Sequence, residues 1–139
     1  VPDPRPRRLH FTGFLMLALA GAACSTTPDP KVTGGATVLS QRKFEQWIQA
    51  DEEFLLLDVR TPAEYASGHI PGARNLPHLE VVQLIPQLAD WRDGRIVLYD
   101  ETGRRAAMTA RALRSSGFLY VYVLDGHLPK WRDKGGRLE

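Results

Sequence analysis

Three apolar runs with little polar alternation constrain this chain more than any other feature: "EFLLLDVR" at 53–60, "RIVLY" at 95–99 and "YVYVL" at 120–124. A strand that alternates apolar and polar residues has one wet face, whereas a continuous apolar strand is covered on both, as in a parallel sheet. The intervening segments have helical spacing. After a candidate cap at Ser40, Phe44, Trp47 and Ile48 recur at i, i+3 and i+4, and Ala106, Ala110 and Leu113 share one inner face. Strands alternating with helices predict an α/β fold, a parallel sheet with helices on both faces. The sequence contains no internal repeat.

Local signals sharpen the boundaries. In Thr61-Pro62-Ala63-Glu64 the threonine can cap, the proline suits the first helical position, and Glu64 completes a capping box. In "IPGARNLP" the breakers Pro71, Gly72 and Pro77 leave room for only a brief strand at Ala73 to Asn75. "HLEVVQLIPQLADW" has helical spacing, but Pro86 lacks a backbone donor and should divide or kink the helix. Gly117 ends the helix that runs to about Ser116, and a short final helix spans Leu128 to Asp133.

Residues 1–24 read as an export signal, with Arg5, Arg7 and Arg8 ahead of the uncharged stretch "FTGFLMLALAGAA" and small residues around Cys24. That stretch is shorter than the roughly 20 apolar residues a membrane-spanning helix needs. The surroundings of Cys24, "LALAGAACS", resemble a bacterial lipobox, with Gly21 where a large aliphatic residue usually stands. This favours a lipidated Cys24 and a membrane-anchored protein of the periplasm or cell envelope. Ala20 and Ala22 also offer an A-x-A site for ordinary cleavage, which would leave Cys24 a free thiol. Residues 25–37, "STTPDPKVTGGAT", have a tether's composition, and the folded domain is placed at 38–139. Cys24 is the single cysteine, so no internal disulfide forms. Three of the 18 basic and one of the 16 acidic residues lie in the first 24, which leaves the body balanced in charge and without an electrostatic case for nucleic acid.

The chemistry concentrates where the second apolar run meets its helix, in "IVLYDETGRRAAMTARAL" at 96–113. The turn from Asp100 through Glu101, Thr102, Gly103 and Arg104 to Arg105 has the form of an anion cradle, whose backbone N–H groups point at a negative ligand or nucleophile. Its first side chain is itself a carboxylate.

The stretch "DVRTPAEYASGHIPGARNLP" resembles the hallmark of rhodanese-like domains. Tyr65, three residues, His69-Ile70-Pro71-Gly72-Ala73, two residues and Leu76 fit the family's aromatic-x3-H-aliphatic-P-G-A-x2-aliphatic signature at every position. The similarity continues through "IVLYDETGRR" and "ALRSSGF" into "VYVLDGHLPKW", covering Val38 to about Asp133. It implies one rhodanese domain, a five-stranded parallel sheet flanked by helices. Active members are sulfurtransferases whose first loop residue is a cysteine, activated by the loop amides and the helix N-terminus to carry a persulfide. The family loop reads C-x4-R; this one reads D-x4-R, from Asp100 to Arg105. A second departure is His127, where members often carry the second glycine of a pair.

The resemblance therefore implies the fold without the nucleophile. Asp100 is expected to act as a built-in anion, accepting the loop N–H groups, with Glu101 adding negative charge at the mouth, partly offset by Arg104 and Arg105. No catalytic residue and no cofactor are expected. The loop face would meet a protein or a small anionic ligand of unknown identity. Asp58, Arg60, His69 and Gly72 take structural parts, Asp58 with Arg60 as an ion pair or loop-fixing bonds and His69 as a hydrogen-bonding residue. His10, His78 and His127 have no metal-ligand spacing. "IVLYDET" only faintly matches the D-x-D-x-T motif of aspartyl phosphotransferases, lacking the second aspartate. Trp47, Trp91 and Trp131 are assigned to the core or its rim, and the patch Arg132, Asp133, Lys134 to a solvated end.

Overall fold

In a computed structural model of the protein, which describes residues 32–33 and 35–139, the three apolar runs form the middle of one sheet. The strands are β1 (Val32–Thr33), β2 (Ala36–Leu39), β3 (Leu55–Asp58), β4 (Arg74–Asn75), β5 (Arg95–Tyr99) and β6 (Tyr120–Leu124). Their order across the sheet is β1-β2-β6-β5-β3-β4. From β2 to β4 every pairing is parallel, which gives the five parallel strands expected of the fold. β1 adds an antiparallel edge.

That edge corrects the boundary drawn from composition. The segment assigned to a tether over 25–37 ends in paired strands, with Val32 opposite Thr37 and Thr33 opposite Ala36. Gly35 lies in the turn ahead of β2 with φ of +77°, a conformation that suits glycine in a tight hairpin. The Gly-Gly pair reads equally well as linker or as turn, so composition alone could not separate the two. Residues 1–24, Cys24 among them, and 25–31 lie outside the described residues.

Among the described residues, five α-helices cover the sheet: α1 (Gln41–Gln49), α2 (Pro62–Ala66), α3 (Val81–Leu84), α4 (Arg104–Ser115) and α5 (His127–Asp133). Strand alternation divides the core in two. Leu55, Leu57, Ile96, Leu98, Val121 and Val123 face α3 and α4. Leu56, Val97, Tyr99 and Leu124 face the side of α1 and α5, packing with Phe44, Trp47 and Leu128. Ala106, Ala110 and Leu113 on α4 are fully buried. Burying a leucine-sized side chain contributes about 1.5 to 3 kcal/mol, so residues such as Leu57, Leu98 and Leu113 fix which faces meet.

The local signals act as their chemistry dictates. Ser40 accepts the N–H of Lys43 at 3.2 Å. Thr61 accepts the N–H of Glu64 at 3.3 Å while Glu64 accepts the N–H of Thr61 at 2.9 Å, completing the capping box. At Pro86 the α3 geometry gives way to a 3-10 helix over Ile85–Trp91. One assignment needs correction: Ile48 is exposed, and Gln41, one turn ahead of Phe44, takes the buried place on α1. Gln41 is held there by hydrogen bonds that it donates to the β6–α5 turn. Among the described residues no helix is long and apolar enough to cross a membrane.

Candidate functional site

In a parallel sheet, loops that leave the carboxyl ends of the strands converge at one edge, and the turn after β5 is the central one here. Tyr99 closes β5, Asp100 follows it, and α4 begins at Arg104. Gly103 precedes that helix with φ of +90°, a left-handed conformation that glycine takes without a Cβ clash. It bends the chain so that the first amides of α4 turn back toward Asp100.

Asp100 is completely buried, and both its oxygens are engaged. Oδ1 accepts the N–H of Gly103 at 2.5 Å, and Oδ2 accepts the N–H of Arg105 at 2.9 Å. The carboxylate thus caps a helix from three residues before its N-cap, at the positive end of the helix dipole. Arg105 Nε stands 3.8 Å from Oδ2, and the Asp100 carbonyl accepts the N–H of Leu128 at 3.1 Å. His127, at the start of α5, places Nδ1 3.2 Å from Oδ1.

The other loop residues divide by partner. The guanidinium of Arg105 turns away from the cradle and grips Glu64 of the α2 capping box with two bonds, 2.7 and 2.8 Å long. The Arg105 hydrogen bonds hold the Glu64 carboxyl far below its usual range, and Glu64 in turn raises Arg105. Glu101 bonds Arg132 of α5 at 3.0 Å and lies 4.0 Å from Arg60. Thr102 and Arg104 are exposed. Two expectations change accordingly. The charge of Glu101 is met by Arg132 and Arg60 rather than by Arg104 and Arg105, and Arg132 belongs to the mouth of the loop rather than to a solvated end. Glu64, Arg132 and Gln41 were not among the residues singled out in the sequence as the site. The capping box marked Glu64 only as a helix start, and nothing local links Arg132 to residue 101.

The signature residues brace this edge from beneath. Arg60, almost wholly buried, forms a two-point pair with Asp58 at 2.6 to 3.0 Å and donates to the Gly68 carbonyl at 2.8 Å. Burial acts to lower the Arg60 pKa, but the hydrogen bonds and charge of Asp58 carry it upward. The Tyr99 hydroxyl accepts the N–H of Ile70 at 3.0 Å, and burial together with the Asp58 charge pushes its pKa well up. His69 stacks on Tyr65 with ring centroids 3.7 Å apart, and its Nδ1 lies 3.0 Å from the Tyr65 carbonyl. Gly72 donates its N–H to the Glu139 carboxylate at 2.7 Å. Asp58, Arg60, His69 and Gly72 thus make internal contacts, and the structure gathers Asp100 to Arg105 into one loop above them.

The family model "Rhodanese-like domain" matches residues 40–134. The protein YrkF of Bacillus subtilis is 34% identical over 101 residues, covering 73% of this chain and 52% of YrkF. A protein named sulfurtransferase from Allochromatium vinosum is 33% identical over 100 residues, covering 70% of this chain and 89% of that protein. Among solved structures, a thiosulfate sulfurtransferase from Pseudomonas aeruginosa superimposes with a TM-score of 0.67 at 34% identity, over 73% of this chain and 19% of that one. The chain therefore spans about half the length of YrkF and a smaller share of the Pseudomonas protein.

Proposed function

Because the chain belongs to the rhodanese-like domain family, we propose that it is a member without sulfurtransferase activity, acting as a binding or regulatory module. Asp100 stands where the family loop has its cysteine. The observation that carries the proposal is the engagement of both Asp100 oxygens by the N–H groups of Gly103 and Arg105. In sulfur transfer a cysteine thiolate attacks the sulfane sulfur of thiosulfate. A sulfur–sulfur bond forms as the bond to sulfite breaks, and sulfite leaves with the electron pair. Cyanide then takes the sulfur as thiocyanate and regenerates the thiolate. A carboxylate oxygen forms no such storable bond, and here it occupies the amides that would hold the sulfur anion.

The partner, a protein or a small anionic ligand, meets the loop face at 100–105. The arginine-rich leader and the lipobox-like Cys24 support export to the periplasm or cell envelope with a lipid anchor. Intact-mass measurement of membrane-extracted protein reads that directly, as a diacylglycerol increment on Cys24. A second function, sulfur transfer through an atypical loop, is favoured by the names of the Allochromatium and Pseudomonas relatives. Cyanide-dependent thiocyanate formation from thiosulfate decides between them. The proposal expects none above the uncatalysed rate; turnover comparable to that of a cysteine-bearing rhodanese overturns it.

A further inference from the structure

The β6–α5 turn brings to the loop a side chain that the loss of the cysteine does not require. His127 has φ of +52°, a left-handed conformation that costs a histidine more than a glycine. The turn is pinned where it lies: Gln41 donates to the Asp125 carbonyl at 2.8 Å and to the His127 carbonyl at 3.1 Å, and the Leu128 N–H reaches the Asp100 carbonyl. The imidazole is driven into the cradle. Nδ1 sits 3.2 Å from Asp100 Oδ1, and a Cβ placed on Gly103 would overlap Nε2. Nδ1 is buried and has no aligned hydrogen-bond partner among the described residues.

We propose that His127 is a second determinant of exclusion at this loop, its ring packed over Asp100 and Gly103 so that a sulfur atom or small anion is kept out of the cradle even when Asp100 is replaced. This rests on the loop being an anion cradle occupied by Asp100. Burial lowers the His127 pKa against the opposing charges of Asp100 and Asp125, so near neutral pH the ring fills space without offering an anion a full positive charge. The partner then docks across a closed loop instead of inserting a group into it.

The test compares Asp100→Cys with Asp100→Cys/His127→Gly in the full chain. Iodoacetamide alkylation is followed at position 100 by peptide mass, which keeps Cys24 out of the count, and thiocyanate formation is measured alongside. Glycine at 127 suits the left-handed backbone, so the second substitution leaves the turn its conformation. The expected result is alkylation at least tenfold slower in the single variant, with thiocyanate formed only by the double. Equal alkylation rates overturn the role of His127. Thiocyanate from the unsubstituted protein overturns the parent proposal instead, so the two failures are distinguishable. If circular dichroism shows that Asp100→Cys does not fold, Asp100→Ser and Asp100→Ser/His127→Gly ask the same question through thiosulfate binding by calorimetry. Binding confined to the double variant supports the inference, and equal binding or none in both overturns it.

Discussion

Replacing Asp100 by alanine removes the group that ties β5 to the start of α4. The wild-type carboxylate accepts two buried N–H groups and faces the positive end of a helix of 12 residues. A hydrogen bond to a charged group contributes about 1.5 to 3 kcal/mol, so two contribute about 3 to 6 kcal/mol. The helix dipole adds about 0.3 to 1 kcal/mol. Water entering the emptied cradle and the relief of burying a charge offset part of this, leaving a net loss of about 2 to 4 kcal/mol. With a urea m-value of about 1 to 1.5 kcal/mol/M for a small domain, the unfolding midpoint should fall by roughly 1.3 to 4 M. Asp100→Asn keeps one carbonyl acceptor and should lose about half as much. Equilibrium urea unfolding of the three proteins, at constant m, is the assay. A midpoint within about 0.5 M of wild type for Asp100→Ala refutes the argument that the carboxylate satisfies the cradle.

Glu64→Gln weakens the pair with Arg105 and should cost only about 0.5 to 1 kcal/mol near neutral pH, because Glu64 is more than a third exposed. Its folded-state pKa is lowered, so the stabilisation is complete above the ordinary value of 4.5 and fades as pH falls below it; the melting-temperature gap between wild type and variant should close in acid. The His127 pKa is likewise lowered, which makes protonation unfavourable in the folded protein. Its neutral form contributes fully above the ordinary 6.5, and on acidification wild type should lose stability relative to His127→Asn, as read by thermal unfolding across that range. Gly103→Ala meets both a left-handed φ and the His127 ring and should cost about 1 to 3 kcal/mol. In the Gly103→Ala/His127→Gly double variant part of that cost should return, so a urea double-mutant cycle that shows strict additivity contradicts the packing of the ring on the loop.

The sheet was legible because its strands need no context. A run such as Leu55-Leu56-Leu57 has no polar residue to place at a surface, so β3 is covered on both faces wherever its neighbours lie. Helix starts were legible for the same local reason, since Thr61 and Glu64 satisfy each other within one turn. What escaped depends on contacts between distant segments. Ile48 fits the helical spacing, but the side of α1 that meets the sheet carries Gln41, Phe44 and Trp47, and Gln41 bonds the β6–α5 turn more than eighty residues away. The pairings of Glu64 with Arg105 and of Glu101 with Arg132 likewise join elements that carry no mark of each other. The loop itself lay in between. Its carboxylate and glycine were visible as a cradle, whereas the histidine lying in that cradle comes from the next crossover, and only its place in the "DGH" turn set it apart.

The proposed function turns on position 100, where a carboxylate oxygen stands and no thiol is present to store sulfur. Mass spectrometry of the natural protein after incubation with thiosulfate, with fragments spanning 38–139 resolved, tests it most directly. Those fragments should keep an unchanged mass. A fragment containing residue 100 that gains the mass of one sulfur atom, and gives it up to cyanide as thiocyanate, contradicts it.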